Sequence, residues 1–224
     1  MKQIPSDKYS IAWFTLAECV SRGEKVRALG LYRLLSHSLD DPAFTSQLKG
    51  DLLLAFQDDK AVDLYQEAAE LYMKDNRILE TVAVYEHLLT LEPKKQSYIK
   101  ELTKLYKKLG IQSKVVNYLL CLFDLARDSN DLPGALEIVK QLDEIADQSL
   151  VDVHKSFVLF LLKQEDPPTP TIVKYGKKVI DQLIDTANDK TLQQFLTTIE
   201  AINNQCYREL NQYLESLPYD SKNQ

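Results

Sequence analysis

Apolar residues recur at three- and four-residue intervals along almost the whole chain, the period that lays one apolar stripe on an α-helix. The first such segment covers residues 7–21, with Ser6 or Asp7 as its cap and Trp13, Leu16, Ala17 and Val20 on one side, and Gly23 ends it. The second, residues 24–38, is expected to bury Ala28, Leu31, Leu34 and Leu35. Asp40-Asp41-Pro42 then breaks the chain and opens a third helix, since proline suits a first turn, where its missing N–H is no loss. Further helices are predicted over 42–56, 59–74, 77–91, 95–109, 113–128 and 132–147. The gaps between them are short, so successive helices turn back on one another as antiparallel hairpins.

Past Ser149 the texture changes. Residues 151–162 are densely apolar, and Glu165-Asp166-Pro167-Pro168-Thr169-Pro170 interrupts helix, because proline removes donors and restrains its predecessor. A helix over 171–187 follows. The last, over 190–217, is expected to be the longest uninterrupted one, and residues 218–224 a flexible polar tail.

Within the hairpins, small and aromatic residues sit at repeated offsets. Ala61-x3-Tyr65-x2-Ala68 is followed by Ala69, Tyr72, Asn76, Tyr85, Leu88, Leu89 and Pro93, and Glu101 to Gly110 begins a similar unit. Asn130-Asp131-Leu132-Pro133-Gly134-Ala135-Leu136 opens another. A small residue lets two helix backbones approach, and an aromatic fills the wedge between hairpins. This pattern resembles the tetratricopeptide (TPR) repeat family, whose units are helix pairs of about 34 residues. The likeness is good over about 44–147, extends to 8–43, and is absent after 149. Thr81 and Val115 stand where alanine is usual, Trp13 is followed by Ala17 rather than glycine, and the register slips near Val115.

The resemblance implies an all-α, right-handed α-solenoid of antiparallel helix hairpins; the periodicity gives about eleven helices in all, and the Gln, Asn and Thr content of the last one fits a C-terminal helical cap. The corresponding organisation is a TPR-like array over 1–148, a C-terminal helical module over 149–217 packed on it, and the tail. It also implies a scaffold or adaptor, binding a partner peptide or helix in the concave face.

Composition agrees with helices: the 224 residues include only 6 glycines, and most of the 8 prolines fall at segment ends. A formal net charge of −6 argues against a chain that coats nucleic acid as a whole. Cys19, Cys121 and Cys206 are odd in number and far apart, which fits free buried thiols in a reducing compartment. The first residues lack a signal-peptide apolar stretch, and no segment approaches the roughly 20 apolar residues of a spanning helix. A cytoplasmic protein is the expectation.

The most informative charged feature is on the sixth helix. Lys100, Lys104, Lys107 and Lys108 fall on one side of it, opposite Ile99, Leu102, Leu105, Tyr106 and Leu109. The family pattern places Ser97, Lys100, Lys104 and Lys107 on the ligand-facing side, beside Asp63, Gln66 and Glu70 of the preceding first helix. Two outcomes follow: a basic lining suited to an acidic peptide, or lysines neutralised by those carboxylates. Lys100-x3-Lys104 resembles one element of the clamp by which some TPR proteins grip a terminal carboxylate, but the companion Lys-x3-Asn is missing from earlier helices.

Chemistry is otherwise sparse. His37, His87 and His154 lack a second ligand at metal spacing, and His87 reads as packing or solvent-facing. There is no phosphate loop, no Gly-x-Ser-x-Gly and no His-Glu-x-x-His, so no catalytic, cofactor or metal residue is expected. Asp40-Asp41 and Asp58-Asp59 sit in turns, where capping explains them. Leu192, Leu196, Ile199, Cys206, Leu210, Tyr213 and Leu217 run close to heptad spacing, so the last helix either caps the array or pairs with another copy. The expected function is therefore non-enzymatic protein binding. Self-association through the C-terminal helices, giving a homodimer, and nucleic-acid binding through the Lys100–Lys108 stripe are the rivals.

Overall fold

The computed structural model describes residues 6–145 and 150–217, with side chains from Ile11 onward. Among them the chain is all-α, with twelve helices and no strand. It divides into two compact units, Met1–Ile111 and Gln112–Gln224. The division falls close to Val115, where the repeat spacing in the sequence slips.

The first unit holds α1 (Ser6–Ser21), α2 (Lys25–Ser36), α3 (Pro42–Ala55), α4 (Lys60–Lys74), α5 (Ile78–Leu91) and α6 (Gln96–Lys108). Each packs against the next in sequence, the arrangement of consecutive TPR-like hairpins. The turns are set locally. Asp41 caps α3 by accepting the Phe44 N–H at 3.0 Å, with Pro42 in the first turn. Asp58 accepts the N–H of Lys60 at 3.0 Å, whereas Asp59, at the cap position of α4, makes no capping bond. Gln57, Asn76, Gly23 and Gly110 end helices with positive φ. Two cores result. One joins Leu16 and Cys19 of α1, Ala28, Tyr32 and Leu35 of α2, and Leu52 of α3. The other joins Ala43 and Leu53 of α3, five residues of α4, Val84 and Leu88 of α5, and Tyr98 of α6.

Two side chains expected in the first core are not there. Leu34 is 71% exposed and Ala17 is exposed as well. Both lie at the edge of an apolar stripe wider than the surface that α1 and α2 bury.

The second unit holds α7 (Gln112–Asp128), α8 (Leu132–Ile145), α9 (Val151–Leu162), α10 (Thr169–Asp185), α11 (Asp189–Ile202) and α12 (Asn204–Ser216). One core touches all six, from Phe123 and Ala135 through Phe157, Ile172 and Tyr175 to Phe195, Cys206 and Leu210. The 157–162 run is thus core. Where α10 meets α12, a Cβ on Gly176 would stand 2.8 Å from the Leu210 methyls, so any larger residue there would have to displace them. Cys121, expected buried in its apolar run, is exposed, while Cys19 and Cys206 are buried, and all three are free.

The last segment is not one helix. It breaks at Asn203, whose backbone is extended (φ −146°, ψ 97°) and whose side chain caps α12 by accepting the Cys206 N–H at 3.0 Å. The break raises the helix count from eleven to twelve and cuts the heptad run. Leu192, Leu196, Ile199, Cys206 and Leu210 from that run are all buried in the unit's own core. The expected end of α8 at Asp147 and the expected tail, 218–224, lie outside the described residues.

Ala187 ends α10 at φ +50°, a conformation that costs a residue with a Cβ roughly 1–2 kcal/mol. Replacing it with glycine removes that strain but adds freedom to the unfolded chain. Ala187→Gly is therefore expected to stabilise the protein by about 0.5–1 kcal/mol, read from chemical denaturation; a lower midpoint contradicts it.

Candidate functional site

The exposed sides of α4 and α6 carry the residues singled out in the sequence. α3 and α5 run into the end of the first unit from which α4 and α6 start. At that end the α3–α4 and α5–α6 turns border a cleft of about 760 Å³. Leu54, Val62 and Leu91 supply its apolar part, while Asp58, Asp59, Asp63 and Glu92 supply carboxylates and Gln66 an amide. Asp58 is held by Lys25 at 2.7 Å, and that bond, with the Lys60 N–H, keeps its carboxyl below the usual range.

Gln66 does more than line the cleft. Its amide donates to the Tyr98 hydroxyl of α6, which donates in turn to Glu92 Oε2 at 2.8 Å. Lys95 Nζ approaches the other oxygen of Glu92 at 3.4 Å. The chain Gln66–Tyr98–Glu92 thus ties α4 and α6 together through neutral and singly charged groups. The phenol's bond is the leading reason that the Glu92 carboxyl is held low. Burial, followed by the neighbouring Glu92, pushes Tyr98 up to about 12.

Asp63 and Gln66 therefore border the cleft, and Glu70 lies exposed further along α4. Ser97, Lys100, Lys104 and Lys107 are all exposed on α6. Lys104 pairs with Glu101 of its own helix at 2.6 Å. Among the described residues no ion pair joins Lys100, Lys104 or Lys107 to Asp63 or Glu70, so the carboxylates of α4 do not neutralise the lysine row by direct contact. Glu70 acts instead on Tyr85, whose pKa is raised by burial first and then by Glu101 and Glu70.

Tyr98, Glu92 and Lys95 were not foreseen. Tyr98 sits in a strongly amphipathic helix, where an aromatic reads as core, and it is indeed buried. The signal that was available is Tyr98 six residues after Glu92, across a turn containing Pro93.

The histidines settle into structural roles. His87 packs edge-on against Tyr65, with ring centroids 4.7 Å apart. In the second unit His154 is buried, with Nε2 at 2.8 Å from Asp143 Oδ1, while Lys178 bonds the other oxygen at 2.6 Å. This cluster knits α8, α9 and α10. Among the described residues no group of three or more His, Cys, Asp or Glu side chains is placed to hold a metal ion, and no helix is long and apolar enough to cross a membrane.

No family model matches the chain, and no curated protein matches it. Solved structures do align. A Podosopora anserina putative kinesin light chain with nearly identical TPR-like repeats aligns over 94% of this chain and 98% of that one, at 13% identity and a TM-score of 0.34. The Naa15/Naa10 structure bound to HypK-THB aligns over 96% of this chain and 40% of that one, at 13% identity and a TM-score of 0.26. The MamA RS-1 ArsTM double mutant aligns over 95% and 99%, at 17% identity and a TM-score of 0.26. These are distant likenesses, and the TPR-like description rests on the chain's own consecutive hairpins and their Ala and Tyr positions.

Tyr98 and Tyr106 are both pushed up to about 12 from an ordinary 10, each by burial and then by a carboxylate, Glu92 or Glu86. The folded chain holds these phenolic protons more tightly than the unfolded one. Their contribution to stability is full below pH 10 and is lost as pH rises through 12. Tyr98→Phe is expected to remove one of these titrations and to flatten the fall of melting temperature over that window. An unchanged alkaline slope counts against the assignment.

Proposed function

We propose that the chain is a non-catalytic scaffold that holds a peptide or helix of another protein along α4 and α6. The observation that carries this reading is that Asp63 and Glu70 on one helix and Ser97, Lys100, Lys104 and Lys107 on the other are exposed, with half-buried Gln66 between the first two. The Gln66–Tyr98 bond fixes the two helices as one surface.

An acidic segment is what the lysine row attracts, because cations left without cross-helix partners raise the local concentration of opposite charge. The cleft beside the row offers Leu54, Val62 and Leu91 to one apolar side chain of the same segment. Asp63 and Glu70 then act by exclusion, penalising an acidic group placed over α4 instead of α6. On this reading α9–α12 form a C-terminal helical module that closes off α7 and α8 of its own unit.

The test is affinity capture from the native cell with the wild-type chain and with Lys100→Glu/Lys104→Glu/Lys107→Glu. All three positions are exposed, so the loss of stability is expected to be about 0.5 kcal/mol per substitution, leaving the chain folded while the captured protein is lost. An unchanged capture profile would sink the assignment. A captured species that is nucleic acid, released with a steep salt dependence, would replace it with the rival reading.

A further inference from the structure

We infer that the cleft bordered by the α3–α4 and α5–α6 turns takes a lysine or arginine side chain of the bound segment. Its stem lies over the apolar floor and its cation meets Asp59 and Asp63. The inference deepens the α4–α6 reading and rests on it for the course of the rest of the segment, though not for the cleft itself.

Four helix ends shape the cleft. α3 and α5 arrive with their last carbonyls, and α4 and α6 leave with their first N–H groups, so the helix dipoles offset in pairs and side chains decide the charge. Four carboxylates and a single ammonium line it. Two of the carboxylates are answered within the chain: Asp58 by Lys25 at 2.7 Å, and Glu92 by the Tyr98 hydroxyl at 2.8 Å with Lys95 at 3.4 Å. Asp59 and Asp63 are not. Both are exposed and four residues apart, which puts them on one side of α4, and Asp59 caps nothing. Among the described residues neither has an ion pair or a side-chain hydrogen bond. Lys25 is thus one ammonium already seated on this rim, and the two aspartates leave room for another.

The floor selects among cations. Leu54, Val62 and Leu91 are half-buried beside the two aspartates and offer apolar surface that a small ion cannot use. Among the described residues no group of three or more acidic side chains is placed to hold a metal ion. An acidic side chain is repelled here, and a purely apolar one takes water from two carboxylates without giving them a partner. A long basic side chain meets both demands, because its methylene stem covers apolar surface while its charged head stays at the wet rim.

The position of the cleft also fixes a spacing in the segment. Lys100 and Lys104 lie five and nine residues beyond Lys95, which borders the cleft. That is roughly 7–14 Å along α6, the reach of about two to four extended residues. The segment therefore carries its acidic residues at that distance from its basic one.

Selection of phage-displayed random dodecapeptides on the full chain tests this, run in parallel on Asp59→Asn/Asp63→Asn and on Lys100→Glu/Lys104→Glu/Lys107→Glu. The wild type is expected to enrich peptides with lysine or arginine at the stated distance from aspartate or glutamate. The asparagine variant is expected to lose the basic preference and keep the acidic one, and the glutamate variant the reverse. In an enriched peptide, replacing the basic residue with norleucine keeps the stem and removes the charge. It is expected to weaken binding to the wild type about tenfold and binding to Asp59→Asn/Asp63→Asn hardly at all. The proposal is overturned by enriched peptides without a basic residue, by a basic preference that survives the asparagine variant, or by a wild type that enriches nothing. Enrichment of basic residues alone, with no acidic ones, sinks the lysine-row reading and leaves the cleft assignment standing.

Discussion

Where Gly50, Ala61, Ala68 and Ala69 let α3, α4 and α5 draw together, the rings of Tyr65 and Tyr72 fill the space between them, and each buried phenol must then find a partner. Tyr65 is bonded to Asp51 at 2.6 Å and Tyr72 to Gln47 at 2.9 Å, both on α3. An unmet hydroxyl at such a depth costs about 1–3 kcal/mol, so the two bonds fix how α4 is rotated against α3. The same device recurs along the unit. Tyr32 reaches the Thr45 carbonyl, Tyr98 reaches Glu92 and Tyr106 reaches Glu86 at 2.6 Å. Each hydroxyl ties its helix to a different helix or to the turn before its own. The exposure of Asp63 and of the lysines follows from that phasing.

Arg77 extends the constraint into the turns. Its guanidinium stacks over Tyr72, 4.4 Å from the ring centroid, and bonds Asp41 at 2.6 Å. Asp41 is also the cap of α3, so one side chain couples the start of α3 to the start of α5. The second unit uses a different device, the Asp143–His154–Lys178 cluster, in which one carboxylate serves two elements and leaves its imidazole buried. A polar cluster of this sort adds little stability compared with apolar packing, but it admits few alternative arrangements of α8, α9 and α10.

Most of the helices were legible in the sequence because apolar periodicity and turn residues act locally. The failures share one cause. Leu34, Ala17 and Cys121 belong to stripes broader than the surface their neighbours cover, and period alone does not say which edge stays wet. Asn203 hides a break because it is neither glycine nor proline; its side chain becomes a cap only once Cys206 N–H is free to receive it. In the candidate site the lysines could be read from spacing, since charges at three- and four-residue intervals must share a side. Tyr98 could not, because its meaning depends on Gln66, thirty-two residues away.

That distant pair also decides what the α4–α6 surface is able to display. Had a lysine of α6 met a carboxylate of α4 at the crossing, the pair would have added at most about 1 kcal/mol at an exposed position and removed both charges from view. The neutral amide of Gln66 and the phenol of Tyr98 occupy that crossing instead. Lys104 turns to Glu101 on its own helix, and Asp63 and Glu70 remain on α4. No ion pair therefore crosses from α4 to α6 at these positions among the described residues, and the tie between the two helices is carried by an uncharged bond instead.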